Sequence, residues 1–392
     1  MSKPAQKARV GISRGRIAVL GLITIAVYGS WFYAFGVLLD PIIADTGWSE
    51  TAVATAFSSS SVIAGFGALL GGAVLDRWGS RLVFVLAAVF GGGSFFLAAG
   101  SETAASFALF SAVGGGVLAS LGFYHVTQTV AVRLSPQSED RAIAVLTIWG
   151  AFASAIYIPM TAWLVSVVDW RVALRFLAVS AVTALLAGAI WTGTRKVTVH
   201  RRPRLLAEVG SFLRKENARR FMASQALAGI AVGTILVYQV PAMTAAGLAL
   251  GAASFWAGFR GLAQLGGRLP LMILVSRFGV ANTLRLAYLT IGIGAFALAF
   301  AGNQVLAAVY GLLAGFGIGA VSPLVGMHSR KVFGVDGLGT AMGAVSLVFL
   351  LASAVGPVVA ASVAESTGSR SIPVAVSAVI VAMGAGVIRS SD

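Results

Sequence analysis

The sequence predicts an all-α polytopic membrane protein of twelve transmembrane helices, arranged as two six-helix bundles with both termini in the cytoplasm. Three observations carry that prediction. Hydrophobic residues make up 58% of the 392 positions and charged residues only 10%, whereas about a quarter of a soluble domain is charged. The apolar residues fall into twelve runs of about 20 residues, the length a helix needs to cross the hydrocarbon core. Lys and Arg gather on alternate connections between those runs, as the positive-inside rule requires.

In chain order, a basic tail over 1–16, with Lys3, Lys7, Arg9, Arg14 and Arg16, precedes the first run, 17–39. That run is too long for a signal-peptide core and no small-residue cleavage site follows it, so it reads as a retained helix. The second run, 50–75, leads into a short polar turn with Asp76, Arg77 and Arg81, and the third, 82–100, returns. The fourth, 104–131, is followed by Arg133; the fifth, 142–167, carries Pro159; the sixth is 171–192. The longest polar stretch, 193–218, reads as a solvated basic loop, with a lipid-headgroup or regulatory role as the alternative. Then come 219–244, 252–276, 281–300, 304–327, 338–364 and 372–389. Membrane strands would be short and would alternate polar with apolar residues; these runs are apolar all round.

Starting the N-terminus in the cytoplasm leaves only Arg171, Arg175 and Arg370 outside, while Asp40, Asp45, Glu50, Glu102, Asp169 and Glu365 fall there. The basic residues lie between apolar runs, so the net charge of +15 does not indicate nucleic acid. Cysteine is absent, which excludes thiolate chemistry, and three His residues (His125, His200, His328) are too few for a His-rich metal site. Neither a GxxxxGK[ST] phosphate loop nor an H-E-x-x-H zinc pattern is present, and no carboxylate pair is embedded in a run. These readings point to a non-enzyme that draws on ion or substrate gradients, without metal or cofactor.

The basic loop divides the chain into 17–192 and 219–389, each with six runs. Gly72-Ala-Val-Leu-Asp76-Arg77-Trp-Gly79-Ser-Arg81 follows the second run, and the degenerate copy Ser276-Arg277-Phe278-Gly279 follows the eighth. A parallel repeat of six helices is the pattern of a transporter that rocks two bundles about a central site. Many glycines stand four apart, as in Gly67/Gly71, Gly311/Gly315 and Gly315/Gly319, a spacing that suits close helix packing in lipid.

The segment 72–81 matches GxxxDRxGxR and resembles the signature of the major facilitator superfamily. That resemblance implies a conformational gate at Gly72, Asp76, Arg77, Gly79 and Arg81 that braces the cytoplasmic side of the outward-open state, with Asp76 then bonded to a helix N-terminus or an Arg of the other half. Three further segments resemble the monocarboxylate-transporter and oxalate–formate-antiporter branch: Tyr33-Ala-Phe-Gly36 with Gly47-Trp48-Ser49, Pro159 with Asp169-Trp170-Arg171, and Gly339-Thr340-Ala-Met-Gly343 with Gly356-Pro357. Drug–proton antiporters carry an Arg within the fourth helix, and here none precedes Arg133.

The eighth run is the most informative. Trp256, Arg260, Gln264 and Arg268 stand four apart and form one stripe along a helix. At about 1.5 Å per residue, both arginines lie within roughly 6 Å of the midplane. A cation there costs at least about 2.5 kcal/mol, so it should face a cavity or a partner. No acid lies deep in a run to pair with either, which points to an anion, and the planar Arg fork suits carboxylate. By the resemblance, Arg268, nine residues before Arg277, takes the place of the family's substrate-carboxylate ligand, with Arg260 as a second cation. Gln264 stands where animal relatives have a proton-carrying Asp, and the eleventh run lacks the Lys of the oxalate antiporter. Tyr124 matches a cavity Tyr of bacterial members. Tyr28, Trp31, Tyr238 and Gln239 are candidate cavity linings, His125 is a candidate proton site, and His328 is expected at the interface.

The expectation is therefore a secondary transporter of a small organic anion, a monocarboxylate by preference, working by alternating access as proton symporter or anion exchanger. It is expected to act as a monomer in the inner membrane of a bacterium. Efflux of drugs or other amphiphiles is the alternative.

Overall fold

The computed structural model describes residues 14–135, 137–194, 215–333 and 338–389. Most of the N-terminal tail, the core of the basic loop (195–214) and Pro136 lie outside the described residues. Among these residues, ten helical stretches are long and apolar enough to cross a membrane. Two more complete the twelve: Leu250–Arg268, whose hydropathy is lowered by Arg260, Gln264 and Arg268, and the shorter Ser371–Val387.

The helices are α1 (Arg14–Thr46), α2 (50–78), α3 (80–99), α4 (Ala104–Leu134), α5 (Glu139–Val167) and α6 (Trp170–Trp191), then α7 (Glu216–Ala245), α8 (250–278), α9 (280–299), α10 (Gln304–Phe333), α11 (Leu338–Thr367) and α12 (Ser371–Val387). Most extend beyond the apolar runs because polar turns continue outside the hydrocarbon. The largest extension is at α1, which passes through Asp40 and Pro41 to Thr46.

Local chemistry sets the boundaries. Gly47 at φ 69° ends α1, and the Ser49 hydroxyl accepts from the Ala52 amide at 3.1 Å to start α2. Thr103 and Ser106 form a capping box at α4, and the Asp169 carboxylate caps α6 through the Val172 amide at 2.9 Å.

The repeat is visible in the backbone. Gly79 bends the chain between α2 and α3 at φ 77°, ψ 166°, and Gly279 bends it between α8 and α9 at φ 75°, ψ 164°. Glycine alone adopts such angles freely. Gly47 and Gly247 end α1 and α7 at positive φ, and Pro41 and Pro241 sit inside the last turns of the same helices. All three pairs share one offset of two hundred positions.

Three helices are interrupted where the site forms. A π-helical turn over Tyr28–Tyr33 widens α1. Phe123, at φ −77° and ψ 178°, breaks α4, and Pro270 breaks α8 just after Arg268. The halves meet along two seams of small residues. Gly65 of α2 faces Leu347, Leu350 and Leu351 of α11, and Gly258 and Gly261 of α8 lie against Ala151, Ser154 and Pro159 of α5.

Candidate functional site

The stripe on α8 is set by α10. Gly311, Gly315 and Gly319 abut the backbones of Trp256, Arg260 and Gln264; a Cβ on Gly315 would lie 2.5 Å from the Arg260 carbonyl oxygen. The glycine ladder therefore lets the two helices touch backbone to backbone and fixes where the α8 side chains leave the helix.

Arg260 is 1% exposed. Its Nε donates to Gln239 Oε1 at 3.1 Å, and the same oxygen accepts from the Tyr310 hydroxyl at 2.8 Å. The Tyr33 ring lies below the guanidinium, 5.7 Å from its central carbon. Arg260 Nη2 is buried and has no hydrogen-bond partner among the described residues. None of the ion pairs among them includes Arg260. A buried, unneutralised cation with a free donor is costly unless an anion completes it.

Arg268 lies two turns nearer the cytoplasm. Its Nε donates to the Gly319 carbonyl at 3.2 Å and its Nη1 to the Thr147 carbonyl of α5 at 3.4 Å. Tyr124 also donates to the Thr147 carbonyl, at 3.4 Å, so one oxygen joins α4, α5 and α8 across the two halves. Tyr33 and Tyr124 are the titratable neighbours of Arg268. Tyr33 thus stands between both arginines. Tyr28 stacks on Phe123 at 3.7 Å and contacts Tyr124 at 5.2 Å, completing an aromatic wall from the N-terminal half.

The structure brings together Arg260, Arg268, Tyr28 and Tyr124 with Gln239, Tyr33 and Tyr310. Gln264 is half-buried on the same stripe. Two expected linings lie away from the arginines. Trp31 is 3% exposed, donates to the Ser60 hydroxyl at 2.8 Å and packs among Phe35, Phe95 and Phe107, and it also lines a small cavity with Phe32, Phe123 and, from the other half, Leu350. Tyr238 donates to Glu50 at 2.6 Å and belongs to the outer closure. His125 Nε2 is bonded to the Ser120 carbonyl at 2.8 Å, beside Gly71 at the α4 break. His328 is 3% exposed and packs edge-on against Phe221 at 4.7 Å, buried at the cytoplasmic end of α10.

The turn 72–81 is expected to brace the two halves only in the outward-open state. Asp76 pairs with Arg133 of its own half, not with the opposite half, while Arg77 and Arg81 are exposed. Gly72 faces open space, and Gly79 makes the bend. The polar bonds that join the halves cluster at the outer ends instead. Arg370, between α11 and α12, bonds Asp40 at 2.6 Å and Glu50 at 3.0 Å, and Glu365 accepts from the Thr51 amide and hydroxyl at 3.0 and 2.7 Å. Burial works against the Arg370 cation, but its bonds to Asp40 and Glu50 outweigh that and hold its pKa above the ordinary arginine value. The structure is therefore closed on the outer face. Sequence reasoning read Asp40, Glu50, Glu365 and Arg370 only as markers of topology; Tyr310 carried no signal at all. Among the described residues no cluster of His, Asp or Glu could hold a metal ion.

Comparison with known proteins adds the following. The sequence profile described as Major Facilitator Superfamily matches residues 20–244. No curated protein sequence matches the chain. Among solved structures, a point mutant of the nucleoside transporter NupG superposes with a TM-score of 0.80 at 16% identity, covering 96% of this chain and 97% of that one. A POT family transporter in complex with 5-aminolevulinic acid superposes with a TM-score of 0.73 at 13% identity, covering 98% and 97%. Another, in complex with a thioalcohol-conjugated peptide, gives 0.74 at 12%, covering 96% and 95%. At these identities the likeness is one of fold.

Proposed function

We infer that this chain, which belongs to the Major Facilitator Superfamily and is an integral membrane transporter rather than an enzyme, carries a small organic anion, by preference a monocarboxylate, across the cell membrane of a bacterium as a monomer. The observation that carries the reading is Arg260: a fully buried guanidinium that, among the described residues, has no acidic partner and carries an unbonded Nη2. A carboxylate can take both terminal nitrogens of such a fork, and bonds of this kind are about twice as strong as neutral ones.

Gln239 holds Nε, so the free edge of Arg260 stays turned to its ligand. Arg268 is the second ligand. Its present acceptors are neutral carbonyls, and a carboxylate is the stronger acceptor. An anion at the site therefore competes with the Thr147 carbonyl for Arg268 and loosens a joint between the halves. That competition links binding to the rocking of the two bundles, because a ligand moves a two-state equilibrium only through bonds it makes better in one state. The aromatic wall excludes water from the ion pair and lines a path for the apolar part of the substrate.

Proton symport is the simplest coupling, since a monoanion and one proton cross together without net charge. His125, beside Tyr124, is its proton site. His125→Gln should keep anion binding and lose the acceleration of uptake by an inward proton gradient; equal acceleration in the variant assigns the proton elsewhere.

Uptake into proteoliposomes tests the main reading. Wild-type protein should accumulate a labelled monocarboxylate, and Arg260→Ala and Arg268→Ala should each lower uptake at least tenfold with the protein still folded. The same aromatic wall favours a second reading, efflux of amphiphiles. Transport of a neutral or cationic amphiphile that is unchanged in both variants would replace the anion reading with it.

A further inference from the structure

The outer closure is built from groups that belong to different halves. Asp40, near the end of α1, and Glu50, at the start of α2, are carried by the N-terminal half. Tyr238, on α7, and Arg370, just before α12, are carried by the C-terminal half. One nitrogen, Arg370 Nη2, bonds Asp40 Oδ1 at 2.6 Å and Glu50 Oε2 at 3.0 Å. The other Glu50 oxygen accepts from the Tyr238 hydroxyl at 2.6 Å. The two carboxylates therefore lie side by side with a single cation between them. Among the described residues, the polar bonds of both carboxylates come from the opposite half. The other acids at this face are engaged elsewhere: Glu365 of α11 accepts from the Thr51 amide and hydroxyl, and Asp45 is paired with Arg171 and bonded to Trp170 of its own half. The Asp40 side chain is 43% exposed, so the outer solution reaches the pair even in the closed form.

We propose that the outer closure is a pH-sensitive gate in which Arg370 and a proton compete for the Asp40–Glu50 pair. When the halves rock apart on this side, Arg370 and Tyr238 leave with the C-terminal half, while Asp40 and Glu50 move together as parts of one bundle. Two carboxylates then share one place with no cation between them, and a single proton relieves their repulsion. On closing, Arg370 returns between them and displaces that proton to the outer solution. The sign follows from the proton count. The open form binds more protons than the closed form, so acid outside favours opening and alkali favours closing. The proton is taken from and returned to the same side. The gate therefore sets when the outer face opens and carries no proton across, and it holds whichever substrate the central site takes and wherever the coupled proton rides.

The test is the distance between spin labels at Ala44→Cys and Ala246→Cys, one on each half at the outer face, in the purified full-length protein in lipid nanodiscs. The chain has no cysteine of its own to interfere. With the labels on the otherwise unchanged chain, the long-distance fraction should rise roughly fivefold or more between about pH 8 and about pH 5, and fall again when the pH is restored. The double variant Asp40→Asn with Glu50→Gln keeps the shape of both side chains, and an acceptor for Tyr238, but removes the charge that Arg370 and the proton compete for. It should show the long distance at both pH values. A distribution that does not move with pH in the unchanged chain overturns the proposal. So does a pH response of full size in the double variant, which keeps His125 and His328 and would assign the response to groups outside the closure.

Discussion

Gln239 Oε1 accepts from Arg260 Nε at 3.1 Å, and this one bond decides which edge of the guanidinium remains free. The oxygen also takes the Tyr310 hydroxyl, so three buried side chains from α7, α8 and α10 share one acceptor. Such a cluster holds a cation rigidly without neutralising it.

Gln239→Leu removes that acceptor while keeping most of the volume. A lost buried bond to a charged group is worth about 1.5–3 kcal/mol, so carboxylate affinity should fall roughly tenfold or more. Gln239→Glu places a carboxylate where the substrate's charge is wanted. It should abolish anion binding while leaving the protein as stable as wild type or more so. Titration of the purified variants with the transported acid checks both.

Arg370 ties Glu50 and Asp40 of the N-terminal half to the start of α12. Arg370→Ala leaves two acids facing each other at the outer face. Losing bonds of this type, about 1–3 kcal/mol, should shift the equilibrium between outward-closed and outward-open forms by about 5- to 150-fold. The natural chain has no cysteine, so Ala44→Cys with Ala246→Cys gives one clean spin-label pair across the outer face. The distance distribution should move to longer values in Arg370→Ala. An unchanged distribution removes Arg370 from the closure.

Gly315 has no room for a side chain: an added Cβ would stand 2.5 Å from both the Arg260 carbonyl oxygen and the Ala263 Cβ. Gly315→Val should push α8 away from α10 and misplace Arg260. Substrate affinity should fall at least tenfold, whereas Gly193→Ala, at a glycine in open space, should change nothing. Measuring affinity in both separates displacement of α8 from general fragility.

Much of this was legible in the sequence. Hydrophobic run length and the placement of Lys and Arg specify the twelve helices and their orientation, because the bilayer imposes both directly. The stripe of Arg260, Gln264 and Arg268 was visible because charge in a membrane helix is expensive and four-residue spacing places it on one face. What a stripe cannot show is which acceptor each Arg finds. Arg268 was the stronger candidate by position, yet it is engaged by the Gly319 and Thr147 carbonyls, and Arg260 has the free donor. Trp31 and Tyr238 lie away from the two arginines for a related reason. An aromatic residue near the middle of a helix can turn to the cavity, to its own bundle or to the opposite half, and only the packing of neighbours such as Ser60 and Glu50 chooses. The outer closure was hidden because Glu50 and Arg370 are 320 residues apart and look like ordinary loop charges.

The measurement that bears most directly on the central claim is thermal stabilisation of wild type and Arg260→Ala by a panel of small monocarboxylates, dicarboxylates, amines and neutral amphiphiles. A ligand that binds only the folded protein must raise the midpoint. A buried anion site at Arg260 predicts that a monocarboxylate stabilises the wild type and leaves Arg260→Ala unmoved. Stabilisation by amines or neutral amphiphiles alone, equal in both proteins, would contradict it.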